Sequence, residues 1–131
     1  MSGGVIPTVR VRDLEAALAF YVDELGFVLV RGDPSEGNCA VSRGDARLML
    51  ETAAGHYSEG YNEAIRGRLG TPSAIALYVE APDLEALVER TESRGIETVD
   101  PLADRPWGQR EYTIADPDGT WLTFWRVVDP G

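Results

Sequence analysis

The sequence contains no lysine, one histidine and one cysteine in 131 residues. Without lysine there is no amine for Schiff-base chemistry and no phosphate-loop lysine, and no Gly-x-x-x-x-Gly-Lys motif occurs. The lone histidine, His56, lies in a glycine-containing connector, and no Gly-x-Ser-x-Gly turn presents a serine to it, so Ser-His-Asp hydrolysis finds no support. The lone Cys39 cannot form an internal disulfide and reads as a buried structural thiol. There is no run of about 18 apolar residues, and Met1–Gly4 lacks the basic start and apolar core of a secretory signal, so a cytoplasmic location is expected. Cationic character is scarce as well: twelve basic residues, all arginine, face 22 acidic ones, for a net charge of −10. Nucleic acids and anionic membranes both need a basic footprint, so neither is expected as a partner. A cationic ligand and a merely solubilising acidic surface both suit that balance.

What the sequence has is a repeat. Val9 to Ala16, continuing to Gly26-Phe27, returns as Leu77 to Ala86, continuing to Gly95-Ile96. The tetrapeptide Asp-Leu-Glu-Ala recurs 70 residues on, at positions 13 and 83, and the glycine 69 residues on, at 26 and 95. A period of half the chain implies two copies of one supersecondary unit. At 44% hydrophobic residues the 131 residues suit a single domain spanning 1–131, with a first module of about 5–52, a connector of 53–73 and a second module of about 74–127.

Local patterns give each module the same order. Val5 to Val11 reads as a short strand, with Pro7 indicating an edge or a strand start. Asp13 then caps a helix whose apolar positions Leu14, Ala17, Leu18, Tyr21, Val22 and Leu25 follow a 3.6-residue period, and Gly26 ends it. Phe27 to Arg31, Cys39 to Ser42 and Arg47 to Thr52 read as strands. In the second copy, Ala74 to Glu80 is a strand, Asp83 caps a helix to about Arg94, and Ile96 to Val99 is a short strand. Gln109 to Ala115 and Thr120 to Val127 form a hairpin about Asp116-Pro117-Asp118-Gly119. The connector carries His56, Tyr57 and Tyr61, with room for one helical turn around Asn62 to Arg68, and a segment this long often serves binding.

Two βαβββ units, an Asp-Leu helix cap after each first strand, and Arg110-Glu111-Tyr112 followed by Asp116-Pro117-Asp118-Gly119 together resemble the vicinal oxygen chelate superfamily. That superfamily includes glyoxalase I, extradiol dioxygenases, and fosfomycin and bleomycin resistance proteins. Pro106-Trp107-Gly108-Gln109-Arg110-Glu111-Tyr112 looks most like the bleomycin-resistance branch. The resemblance implies an α+β fold of two tandem βαβββ modules, forming curved mixed sheets with helices on the convex side and ligand on the concave face. It also implies a homodimer with ligand grooves at the interface. Enzymes of the superfamily hold metal on the first and last strand of each unit, and the matching positions here are about Ile6 or Pro7, Met49, Ala74 and Thr123. None of these is a competent ligand for a divalent metal, and Glu51 would be a solitary carboxylate, so no metal, cofactor or catalytic residue is expected.

Strand alternation then sorts the faces. With the matched positions on the concave side, that side receives Thr8 and Arg10, then Arg47, Met49 and Glu51, then Ala74, Ala76 and Tyr78, and finally Trp121, Thr123 and Trp125. The opposite parity, Leu48, Leu50, Ile75, Leu77, Val79, Leu122 and Phe124, suits packing beneath helices. Trp121 and Trp125 offer flat surfaces to a ligand or, equally, to a core or interface. Trp107, in a presumptive loop, is harder to explain by core packing. Glu51 suits a positive group. Arg110 reads either as an anchor for a carboxylate or for the backbone of a neighbouring subunit, or as the partner of Glu111 or Asp116, and Tyr57 and Tyr61 as a lid or as anchors of a long loop. The expected ligand-binding set is therefore Arg47, Met49, Glu51, Tyr78, Trp107, Arg110, Trp121, Thr123 and Trp125.

The expected function is metal-independent binding of a small, antibiotic-type molecule, aromatic and cationic, with resistance by sequestration rather than turnover. Bleomycin-binding relatives use aromatics around the loop between the second and third strands. Here that loop, Gly32 to Asn38, has none, which points to a different drug or metabolite. The competing classes are a metal-dependent lyase or dioxygenase of the superfamily and a regulatory module that binds another protein through its acidic surface.

Overall fold

A computed structural model of the protein describes residues 4–52, 57–71 and 74–128. In chain order its elements are β1 (Thr8–Val11), α1 (Leu14–Ala19), β2 (Val28–Asp33), β3 (Asn38–Arg43), β4 (Ala46–Thr52), α2 (Glu59–Arg68), β5 (Ala76–Glu80), α3 (Leu84–Ser93), β6 (Thr98–Asp104), β7 (Gln109–Ala115) and β8 (Trp121–Val127). The chain divides into two compact units between Thr71 and Pro72. The first holds a sheet ordered β1-β4-β3-β2 and the second a sheet ordered β5-β8-β7-β6. In both, the first strand runs parallel to the last and the remaining pairs are antiparallel. The repeated sequence thus folds into a repeated α+β topology. No helix among the described residues is long and apolar enough to cross a membrane.

Each unit buries one face of its sheet. In the first, Val9, Val11, Val41, Leu48 and Leu50 are buried together with Leu14, Ala17, Tyr21 and Leu25 of the helical segment. In the second, Val79, Tyr112, Ile114, Leu122 and Phe124 are buried with Leu84, Leu87 and Val88 of α3. Burying one such side chain contributes about 1.5–3 kcal/mol, which is what commits each strand to a single parity. Tyr112 satisfies its buried hydroxyl on Thr91 Oγ1 at 2.8 Å. Cys39 is buried, and that burial pushes its thiol above the ordinary value, as suits a structural role.

The one-residue mismatch in the repeat has a structural counterpart. Asp13 and Gly26 are one residue further apart than Asp83 and Gly95. In the first copy the α-helical turn ends at Ala19, and Phe20–Glu24 widens into a π-turn, with the Leu25 N–H donating to the Phe20 carbonyl at 3.1 Å. A π-turn takes up one extra residue without disturbing the chain beyond it. Gly26 and Gly95 both then adopt positive φ, +80° and +70°, which glycine adopts without strain.

Several boundaries differ from the sequence expectation. Asp13 caps α1 by accepting from the Ala16 N–H at 3.1 Å, but Asp83, at the same place in the second copy, makes no side-chain cap bond to α3. The connector holds a ten-residue helix rather than one turn, started by Ser58, whose Oγ accepts from the Tyr61 N–H at 3.2 Å. The strand expected over Ile96 to Val99 instead runs through Thr98–Asp104. It tolerates Pro101 because β6 is an edge strand, and its register against β7 shifts twice. β1 begins only at Thr8, and Ile75, expected beneath a helix, precedes β5 and is exposed. His56 lies outside the described residues.

Candidate functional site

The parity of each sheet that faces away from the helices carries the polar and aromatic residues, and the two units use it differently. In the first unit, register places Arg10 opposite Glu51 on the parallel pair β1/β4, and Asn38 opposite Glu51 on β3/β4. Glu51 is only 3% exposed. Its Oε2 pairs with Arg10 Nη1 and accepts from the Tyr57 hydroxyl at 3.3 Å, while Oε1 accepts from Asn38 Nδ2 at 3.2 Å. The Tyr57 and Tyr61 rings stack at 4.4 Å, and the Arg10 guanidinium carbon lies 5.2 Å and 5.3 Å from their centroids. Arg10 Nη2 also donates to the Tyr61 hydroxyl. Of the other residues expected here, Met49 is half-buried, with Arg31 Nη2 at 3.5 Å from its sulfur, and Arg47 is exposed.

In the second unit the hairpin register sets Glu111 opposite Trp125, and β5 brings Tyr78 opposite Thr123. Tyr78 stacks on Trp125 at 5.5 Å with 17° between planes, and its hydroxyl hydrogen-bonds with both Glu111 and Gln109. Glu111, 7% exposed, also accepts from the Trp107 indole N–H at 2.8 Å and lies 3.7 Å from Arg105 Nε. Desolvation, then the hydrogen bond and charge of Glu111, raise the Tyr78 phenol above its ordinary value, so it stays a protonated donor at neutral pH. Trp107 is nevertheless 64% exposed and Tyr78, with one ring face stacked on Trp125, 53%. Trp121, exposed, continues the same strand parity, and Thr123 is tied to Thr113 by a 2.8 Å hydroxyl contact. The indole N–H of Trp125 is buried without a hydrogen-bond partner among the described residues.

The expected site residues therefore fall into two groups, Arg47, Met49 and Glu51 in the first unit and Tyr78, Trp107, Trp121, Thr123 and Trp125 in the second. Arg110 joins neither. Adjacent residues on a strand point to opposite faces, so with Glu111 on the open face Arg110 lies on the helix side. There it pairs with Glu85 of α3 and with Asp104, each at 2.6 Å, and not with Glu111 or Asp116. Glu111 itself was absent from the expected set. Counting back from the Asp116–Gly119 turn would have found it, since that turn sets Ala115 against Trp121 and hence Glu111 against Trp125.

The Arg110 network has a pH consequence. Hydrogen bonds from Arg126 first and Arg110 second lower the Glu85 carboxyl from 4.5 to about 2. A carboxyl with a folded value below its unfolded one stabilises the protein above the unfolded value, and that contribution disappears as pH falls from 4.5 through about 2. Glu85 is half exposed, so the effect is small. Wild type should exceed Glu85→Gln by a few degrees in thermal midpoint at neutral pH and lose the advantage in strong acid. An advantage that persisted undiminished at pH 2 would contradict the assignment.

The positions where a metal would sit in the superfamily do not suit one. Met49 offers a thioether and Thr123 a hydroxyl already bonded to Thr113, and the two face carboxylates are engaged by their own neighbours. No group of three or more His, Cys, Asp or Glu residues that could hold a metal ion occurs among the described residues.

Comparison with known proteins gives a consistent result. The family model described as Glyoxalase/Bleomycin resistance protein/Dioxygenase superfamily matches residues 6–124. A bleomycin resistance protein from Geobacillus stearothermophilus is 27% identical, across 94% of this chain and 96% of the relative. The crystal structure of UcmS2 superposes with a TM-score of 0.74 at 24% identity, across 95% of this chain and 98% of that one. A glyoxalase/bleomycin resistance protein/dioxygenase from Alicyclobacillus acidocaldarius gives 0.66 at 19% identity, across 98% and 95%.

Proposed function

This chain belongs to the glyoxalase/bleomycin resistance protein/dioxygenase superfamily, and from that premise we propose that it binds a small antibiotic-type molecule, aromatic and cationic, and protects by sequestering it. The observation that carries the reading is the open face of the second unit. There exposed Trp107 and Tyr78 flank the buried carboxylate of Glu111, and exposed Trp121 continues the same strand parity. Stacked aromatics take a planar ligand, and a desolvated carboxylate beside them, with Arg105 Nε no closer than 3.7 Å, favours one that carries positive charge. The net charge of −10 attracts the same class of molecule over longer range. Metal independence is part of the proposal, supported by the poor donor set at the superfamily's metal positions. The similarity to bleomycin resistance proteins supports an antibiotic as ligand, while the loop over Gly32–Asn38, free of aromatics, favours a drug other than bleomycin. The protein would act as a homodimer, as the resemblance implies.

The test is titration of tryptophan fluorescence with a panel of planar cationic drugs, with and without EDTA, and then recovery of the drug. The expected result is saturable quenching by at least one of them, insensitive to EDTA, with the drug recovered unchanged. A flat response across the panel, or conversion of the drug, would overturn the reading. Stoichiometric Fe, Mn, Zn or Ni in the purified protein would favour a lyase or dioxygenase instead.

A further inference from the structure

The carboxylate of the first unit is already answered, and the answer is chemically specific. We propose that Glu51, Asn38, Tyr57 and Tyr61 form a built guanidinium seat, and that Arg10 is its resident cation and keeps this face closed to the cation of a ligand.

The seat has the parts such a site requires. Glu51 supplies a carboxylate that is almost fully withdrawn from water. Asn38 and Tyr57 hold that carboxylate through bonds that do not involve Arg10. Tyr57 and Tyr61 place two ring faces within 6 Å of the guanidinium carbon, the range in which a ring attracts a cation. Guanidinium suits it better than ammonium, because it is planar and weakly hydrated and can bond to Glu51 and Tyr61 through different nitrogens at once. The tyrosines are positioned by other contacts: Ser58 caps α2 at the Tyr61 N–H, and Asn62 Nδ2 donates to the Tyr57 carbonyl at 3.3 Å. Removing Arg10 therefore leaves a cage, not a collapsed patch.

The repeat shows that this pairing is particular to one copy. Arg10 stands opposite Glu51, whereas the matching register in the second unit sets Glu80 opposite Trp125. The first face thus pairs its carboxylate closely with Arg10, whereas Glu111 in the second meets Arg105 Nε only at 3.7 Å. A ligand cation approaching the first face meets the charge of Arg10, so one cationic ligand per chain is expected, at the second unit. This last step, unlike the seat itself, rests on the sequestration reading.

Chemical rescue tests the seat with methylguanidinium at low millimolar concentration, and methylurea as its neutral counterpart. In Arg10→Ala, methylguanidinium should restore at least half of the thermal midpoint lost, and methylurea should not. Wild type and Arg10→Ala/Glu51→Gln should not respond. If Arg10→Ala does not fold alone, refolding with methylguanidinium but not with methylurea is the supporting result. Failure with both, equal rescue by methylurea, or equal rescue of the double variant overturns the proposal. Wild type and the double variant keep the second unit unchanged, so any action of the probe there appears in both controls. A failed rescue therefore leaves the aromatic face untouched, and a failed drug titration leaves the seat untouched.

Discussion

Replacing Trp107 with alanine is expected to weaken drug binding about thirtyfold, the effect of losing about 2 kcal/mol from a central aromatic contact. The same change should move the thermal midpoint by less than about 2 °C, because removing a mostly solvated side chain leaves no cavity. That combination distinguishes a ligand surface from a structural tryptophan. Phe124, fully buried beneath the same sheet, would show the reverse pattern, with a large stability loss on truncation. The geometry also separates two contributions within Trp107. Its N–H bond to Glu111 orients the ring, and the ring face supplies the contact. Trp107→Phe keeps a ring but loses the orienting bond, so its affinity should fall between those of wild type and Trp107→Ala. Isothermal titration with the best drug of the panel measures all three. Unchanged affinity in Trp107→Ala would remove the second face from consideration as the site.

A large stability effect is expected at Arg10. Arg10→Met removes the cation and leaves the Glu51 carboxylate buried, with only Asn38 and Tyr57 to bond it. Stranding one charge of a buried pair costs about 3 kcal/mol, and replacing both by apolar groups of similar size is often close to neutral. For a chain of this length 3 kcal/mol is about 10 °C in midpoint. Arg10→Met should therefore melt about 10 °C lower, and Arg10→Met/Glu51→Leu should recover most of that loss. Calorimetry of the four proteins closes the cycle. If the double variant melts as low as the single one, the cost lies in packing of the arginine stem and not in the stranded charge.

Much of the fold was legible because its signals are local and periodic. Leu14, Ala17, Tyr21 and Leu25 announce a helix face, and Leu48, Leu50, Leu122 and Phe124 announce strand parity; all eight are buried as that spacing requires. The site was legible in part. Parity placed Glu51, Tyr78 and Trp125 on the face away from the helices, but it could not say which carboxylate each aromatic would meet. Arg110 and Glu111 show the limit most sharply. They are adjacent, both charged and both on β7, and only the pairing register and the position of α3 send one to Glu85 and the other to Trp107.

By itself the sequence determined that this chain folds as two copies of one α+β unit and that it has no lysine chemistry. Each of these follows from residue identity and short-range spacing. Tertiary structure alone decided that the first copy answers its carboxylate with Arg10 while in the second Glu111 gathers Tyr78, Trp107 and Arg105. Those partners lie 41 residues apart in Arg10 and Glu51, and 33 apart in Tyr78 and Glu111. Contacts at such separation depend on how strands register across a sheet, and a local pattern carries no record of that.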